Sequence, residues 1–187
     1  MSSISTGKLY SRERNIKGIV PLILLIGLVI DSALPAMFPN QFIGNEQTIV
    51  SHLLVYFIVT FAFYLRNSYI SFYSFIFGLL HDSYNTTLLG FYAIVYFLIT
   101  WLILSIRRYF PRNAIVHFML FIVMVTIVEF VTYFFYLKVG IAEVDLQNFI
   151  ITRLGPTLIF NTALSFFMYL PTRGLLQWLG YDDHIIF

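Results

Sequence analysis

"GLLHDSYNTTLLG", residues 78–90, places a histidine, an aspartate, a short polar turn and two glycines between two strongly apolar stretches. How this segment is read decides the fold. In a soluble protein it would be an ordinary surface loop. In a chain made for lipid, His81 and Asp82 must be explained by where the bilayer lies and by which other polar groups reach the same depth.

The composition selects the second setting. Of 187 residues, 59% are hydrophobic and only 11% are charged, where a soluble domain carries roughly 25% charged residues. The mean hydropathy is +0.84. A spanning helix needs about 20 apolar residues, so the chain has room for about six of them and little else. The whole of 1–187 is expected to be one transmembrane helical domain, with a short basic N-terminus at 1–16 and a short tail at 172–187. There is no cysteine, which excludes disulfides, thiolate nucleophiles and cysteine-ligated metals. The basic residues are scattered over loops without a recurring helical face, so no nucleic-acid partner is expected.

Working outward from residues 78–90, apolar segments are expected near 17–38, 48–65, 69–83, 88–106, 114–137 and 150–171. A cleaved signal peptide is the weaker reading of the first, because the stretch is long and carries Asp31. The third span is short and covers only about 22 Å of a roughly 30 Å hydrocarbon core. It is therefore expected either to be packed inside the bundle or to pull the polar turn below the membrane surface. With the N-terminus inside, Lys8, Arg12, Arg14, Lys17, Arg66, Arg107, Arg108, Arg112 and Arg173 face the cytoplasm, and only Lys138 and Arg153 face out. That bias places both termini in the cytoplasm. The tail, with Trp178 among leucines, reads equally as an interfacial helix or an unstructured end.

Three acids fall within these spans: Asp31, Asp82 and Glu129. Helix rise puts Asp31 about 10 Å and Glu129 about 12 Å below the outer ends of their helices. Asp82 lies at the outer end of the short third span, and His52 and Arg153 enter their spans from the same side. Intramembrane charges usually face a bundle interior, so a polar cluster or water-filled cleft opening outward is expected, with Arg153 pairing Asp31 or Asp82. The alternative is that each group reaches the outer headgroups separately. Gly78 and Gly90 permit close helix approach. Pro156 frees the carbonyl of Thr152, which then needs a donor from a neighbouring helix or water. Asn161, near mid-membrane, is expected to hydrogen-bond between helices.

Catalytic signatures are missing. An Asp31–Asp82 dyad would lack the G-x-G-D element of intramembrane aspartyl proteases, since Leu79, Leu80 and His81 precede Asp82. No rhomboid-type serine motif and no H-E-x-x-H occur. His52, His81 and Asp82 could in principle make a metal trio, which is the weaker reading. Neither catalysis, a metal nor a cofactor is expected.

Gly78, Leu79, Leu80, Asp82, Leu89 and Gly90 resemble the "G-L-x-x-D … L-G" signature of the bacterial rod-shape-determining MreD family. The segment "LGPTLIFNTALSFFMY", with Pro156 and Asn161, is similar to that family's last helix. The resemblance covers nearly the whole chain. It implies a non-catalytic inner-membrane component of the elongation machinery. Its partners would be a bitopic MreC-like protein, cytoskeletal MreB, the synthase RodA and class B penicillin-binding proteins. It also implies a six-helix fold similar to the substrate-binding subunits of energy-coupling-factor transporters. A vitamin-type binding subunit of a transporter is therefore the alternative. Those subunits commonly carry an A-x-x-x-A stripe on helix 1, and here that helix is bulky, which counts against transport.

Overall fold

The computed structural model describes residues 3–44, 47–65, 69–86, 88–141 and 144–179, with side chains from residue 18 onward. The basic side chains of the N-terminus, Arg66 and the end of the tail lie outside that description. The helices are α1 (Ser3–Met37), α2 (Pro39–Phe42), α3 (Leu53–Tyr64), α4 (Ile70–Asn85), α5 (Phe91–Ile106), α6 (Ala114–Lys138), α7 (Leu146–Phe149) and α8 (Gly155–Trp178). A π-helical turn, Ile150–Leu154, joins α7 to α8. Gly18–Met37, Ala114–Lys138 and Leu146–Trp178 are long and apolar enough to cross a membrane by themselves, while Leu53–Tyr64 and Phe91–Ile106 are apolar but shorter.

The centre of the bundle is α3. All 12 of its residues are buried, and α1, α4, α5, α6 and α8 pack around it. Such a helix, apolar all round, belongs in a core. The short, enclosed helix expected at 69–83 is thus found at 53–64. The difference has a physical origin: residues 48–52 are apolar enough to read as helix, but they run outside α3 and hydrogen-bond to α8 and the π-turn. α4 has 16 residues and is the longer of the two.

A buried 12-residue helix exposes its end groups to a medium without water. Both ends are satisfied by charge of the right sign for the helix dipole. At the N-terminus, Asp31 of α1 accepts from the backbone N–H of Leu53 and of Leu54, each at 2.8 Å. At the C-terminus, Arg107 beyond α5 donates to the carbonyls of Ala62 (2.8 Å) and Leu65 (2.6 Å).

The surface is the apolar part of the molecule. Ile159, Phe166, Phe167 and Leu170 on α8, Trp101 on α5 and Phe72 on α4 are all exposed. Asp82, Glu129, Asn161, Thr60 and Thr100 are buried. A water-soluble monomer rarely exposes so much contiguous apolar area; hydrocarbon is the solvent that suits it.

α4 and α5 form the tightest pair. A Cβ on Gly78 would run into the Cα of Ala93 and lie 2.7 Å from both Ala93 N and Tyr92 O. Backbone atoms cannot step aside as a side chain can, so Gly78→Ala should force the helices apart and lower the amount of protein in the membrane severalfold. Gly90 plays a different part from the close approach expected of it. It has open space around it and a φ of 101°, a left-handed conformation that costs another residue roughly 1–2 kcal/mol. Gly90→Ala should therefore be milder than Gly78→Ala. Quantitative blotting of membranes checks the order.

Candidate functional site: a polar network at one end of the bundle

Three acids lie toward the same end of the bundle, Asp82 and Glu129 buried and Asp31 half-buried, each with its own partners. Asp31 caps α3 as described, and its Oδ1 also accepts from the Ser51 hydroxyl at 2.5 Å. Asp82 closes the turn quoted at the outset. It accepts from Gly90 N (2.9 Å), Tyr92 N (3.1 Å) and Ala93 N (3.3 Å), the first-turn donors of α5. The Thr86 hydroxyl lies 3.3 Å from its Oδ1. The local sequence explains the shape: Asp82 ends a turn of α4, Gly90 supplies the left-handed residue, and eight residues of chain return the α5 N-terminus to the carboxylate. His81 and Asp82 therefore do different things. Asp82 is fully buried in this cap, whereas the His81 ring lies tilted by 53° against Tyr92 with ring centres 4.4 Å apart.

Glu129 of α6 is the third acid, 1% exposed. Its Oε1 lies 2.8 Å from Nε2 of His52, and its Oε2 accepts from Nε of Arg153 at 2.8 Å. The expected pairing of Arg153 with Asp31 or Asp82 is thus corrected: its partner is Glu129. Asp31 and Asp82 are each occupied by backbone donors at a helix start, and the π-helical turn Ile150–Leu154 carries Arg153 beside α6. A wide turn of this type often marks a functional position.

The segment 48–54 ties these groups together. Asn161 of α8 accepts from His52 N (2.8 Å) through Oδ1 and donates from Nδ2 to Val50 O (2.7 Å). Val50 N donates to the Thr157 hydroxyl at 3.1 Å. Thr48 N donates to the carbonyl of Thr152 at 2.8 Å. That is the donor demanded by Pro156, and it comes from a neighbouring segment. Asn161, expected to bond between helices, bonds instead from α8 to the non-helical segment ahead of α3. Asp31, His52, Glu129, Arg153, Pro156 and Asn161 thus converge on one network. Asp82 with Gly90 forms a separate cap, and Gly78 serves helix packing.

Several participants had no place in the sequence reading. Thr157 stands four residues before Asn161 and Thr132 three after Glu129, so helical spacing puts each on its neighbour's face; that signal was available. Arg107 had been counted only as a loop charge. His117, buried at the other end of the bundle, lies 2.9 Å from the Thr60 hydroxyl among Tyr56, Phe63 and Tyr64. A single histidine on an apolar helix gave no hint of that partner.

The network borders a half-open cavity of about 570 Å³. Its polar wall includes Asp31, Ser51, His52, His81, Thr132 and Arg153, and its apolar wall includes Tyr92, Tyr133, Tyr136 and Phe149. Among the described residues, no group of three or more His, Asp or Glu side chains is placed to hold a metal ion.

These features define a class: an all-helical membrane protein built around a buried, doubly capped helix, with a charge network and cavity at one end. The chain belongs to the family described as rod shape-determining protein MreD, whose model matches residues 12–179. Its similarity to the rod shape-determining protein MreD of Bacillus subtilis (strain 168) is 21% identity over 155 residues, 83% of this chain and 90% of the relative. No solved structure matches it. Membership carries a role in determining rod shape.

Proposed function

We propose that this protein is a non-catalytic, six-span component of the bacterial inner membrane, folded as one domain with both termini in the cytoplasm. It supports cell-shape control and peptidoglycan synthesis by holding a bitopic, MreC-like partner, in company with MreB, RodA and a class B penicillin-binding protein. The site end of the bundle faces outward, where that partner's outer domain would stand. The observation that carries the reading, beside family membership, is the state of the carboxylates. Asp31, Asp82 and Glu129 each serve two or more donors, so each is occupied in holding helices and is poorly placed to move a proton on a substrate.

Recognition through helix faces follows from the exposed apolar side chains of α4, α5 and α6. Benzoylphenylalanine placed at Phe72, Ile94 and Phe134, all exposed, should trap a bitopic wall-synthesis protein in living cells. Crosslinks confined to lipid or to a second copy of the chain would remove the partner reading's main support.

A further inference from the structure

We propose that the cavity beside the Glu129–Arg153 pair is a binding site for an organic anion, a carboxylate on an apolar or aromatic body. The argument begins with an inventory of its wall. Among the described residues, the cavity-lining carboxylate of Asp31 is occupied by Ser51, Leu53 and Leu54. Glu129, just behind the wall, has both oxygens occupied by His52 and Arg153. On the wall itself, then, the hydrogen-bonding capacity of the described carboxylate is taken up, although Asp31 keeps its charge.

Donors are left over. Arg153 holds Glu129 through Nε, 34% of its side chain remains exposed, and the residue lines the cavity, which leaves the Nη donors of its guanidinium for a ligand. The Thr132 hydroxyl is buried, with the residue 2% exposed, and makes no well-formed hydrogen bond. The Tyr92 phenol is close enough to interact with it but not to satisfy it. His81 Nδ1 is likewise buried without a partner. Buried polar groups in folded proteins nearly always have partners; both unsatisfied atoms belong to residues of the cavity wall but are themselves covered, so a ligand's polar end reaches them once the Thr132 hydroxyl or the His81 ring turns. The aromatic rings of Tyr133, Tyr136 and Phe149 supply the surface for its apolar body. The volume of about 570 Å³ suits a small molecule or a few side chains. A guanidinium is the group best shaped to take a carboxylate.

This inference does not depend on the identity of the bitopic partner. It can be tested because the chain has no cysteine of its own. Tyr136→Cys and Thr48→Cys each put one thiol on the cavity wall; either suffices if the other fails to accumulate. The purified full-length chain is treated with an anionic sulfonate methanethiosulfonate and with its cationic trimethylammonium counterpart. Each rate is divided by the same reagent's rate on a free thiol. The Arg153 guanidinium, set against the Glu129 and Asp31 carboxylates beside it, should favour the anion severalfold. The preference should persist in Arg153→Lys and collapse in Arg153→Gln. Millimolar 4-hydroxyphenylacetate should protect the thiol, and its neutral amide should not.

Equal or cation-favoring rates would overturn the proposal. So would an anion preference that survives Arg153→Gln, thiols that neither reagent reaches, or equal protection by acid and amide. The carboxylate's source is read by repeating the labelling in native membranes. Protection there without added acid, lost on purification and accompanied by a crosslink from the cavity wall to a polypeptide, assigns the carboxylate to a protein side chain. A thiol open in native membranes and protected only by added acid assigns it to a free small molecule.

Discussion

Replacing Glu129 with leucine should reduce the protein in the membrane to a small fraction of the normal level. The substitution removes both acceptors from a buried pair: Arg153 loses Oε2 and the 3%-exposed His52 loses Oε1. Breaking a buried ion pair by removing one partner typically costs about 3–5 kcal/mol, and the part exposure of Arg153 to the cavity holds the cost here toward or below the low end of that range. That is a large part of the roughly 5–15 kcal/mol that holds a domain together. Glu129→Gln should be less severe, since an amide oxygen still accepts. Glu129→Gln with Arg153→Gln should recover part of the loss, because the stranded cation is gone. A double-mutant cycle on membrane abundance measures this coupling. Coupling of zero would mean that the 2.8 Å contact between Arg153 and Glu129 contributes nothing to the fold.

Asp82→Leu should be nearly as damaging by a different route. Three donors at the start of α5, the N–H groups of Gly90, Tyr92 and Ala93, lose their acceptor. An unsatisfied buried donor costs about 1–3 kcal/mol. The favourable interaction of a carboxylate with the helix N-terminus, about 0.3–2 kcal/mol, is lost as well. Asp82→Asn should fall between wild type and leucine. Its single carbonyl oxygen can replace Oδ2, which serves Gly90 and Ala93, while its amide faces the Tyr92 donor. Arg153→Gln should not rescue Asp82→Asn, because Arg153 is paired with Glu129. Rescue there, seen as restored membrane abundance, would show that the two groups meet.

These two acids also show what could be read from the sequence. Depth argues for a bundle interior most clearly at Glu129, whose side chain cannot reach the headgroups, and less at Asp82 and Arg153, which lie near the ends of their spans. Pro156 announced an orphaned carbonyl at Thr152, and Thr48 supplies its donor. The pairings were not legible. Whether an aspartate meets an arginine or a helix N-terminus depends on a few ångströms of packing that no spacing encodes. Residues 48–52 misled for a related reason. Hydropathy does not record conformation, and Ile49 and Val50 join the apolar run of the helix that follows although Asn161 and Thr157 hold their segment outside it. Arg107 was hidden because it sits at a helix end among other basic residues, where a loop charge and a C-terminal cap look the same.

The account's central claim is that the polar network holds the fold and that shape control depends on the fold being present, with no chemistry at the acids. Membrane abundance and rod-shape complementation should therefore be measured in the same cells, in a strain lacking its own copy, for Glu129→Gln, Asp82→Asn, Asp82→Leu and Glu129→Gln/Arg153→Gln. Abundance and complementation should fall and recover together across the series. An Asp82→Asn or Glu129→Gln protein at full abundance, still crosslinking to its partner yet leaving the cells without rod shape, would contradict the claim and point to chemistry at that carboxylate.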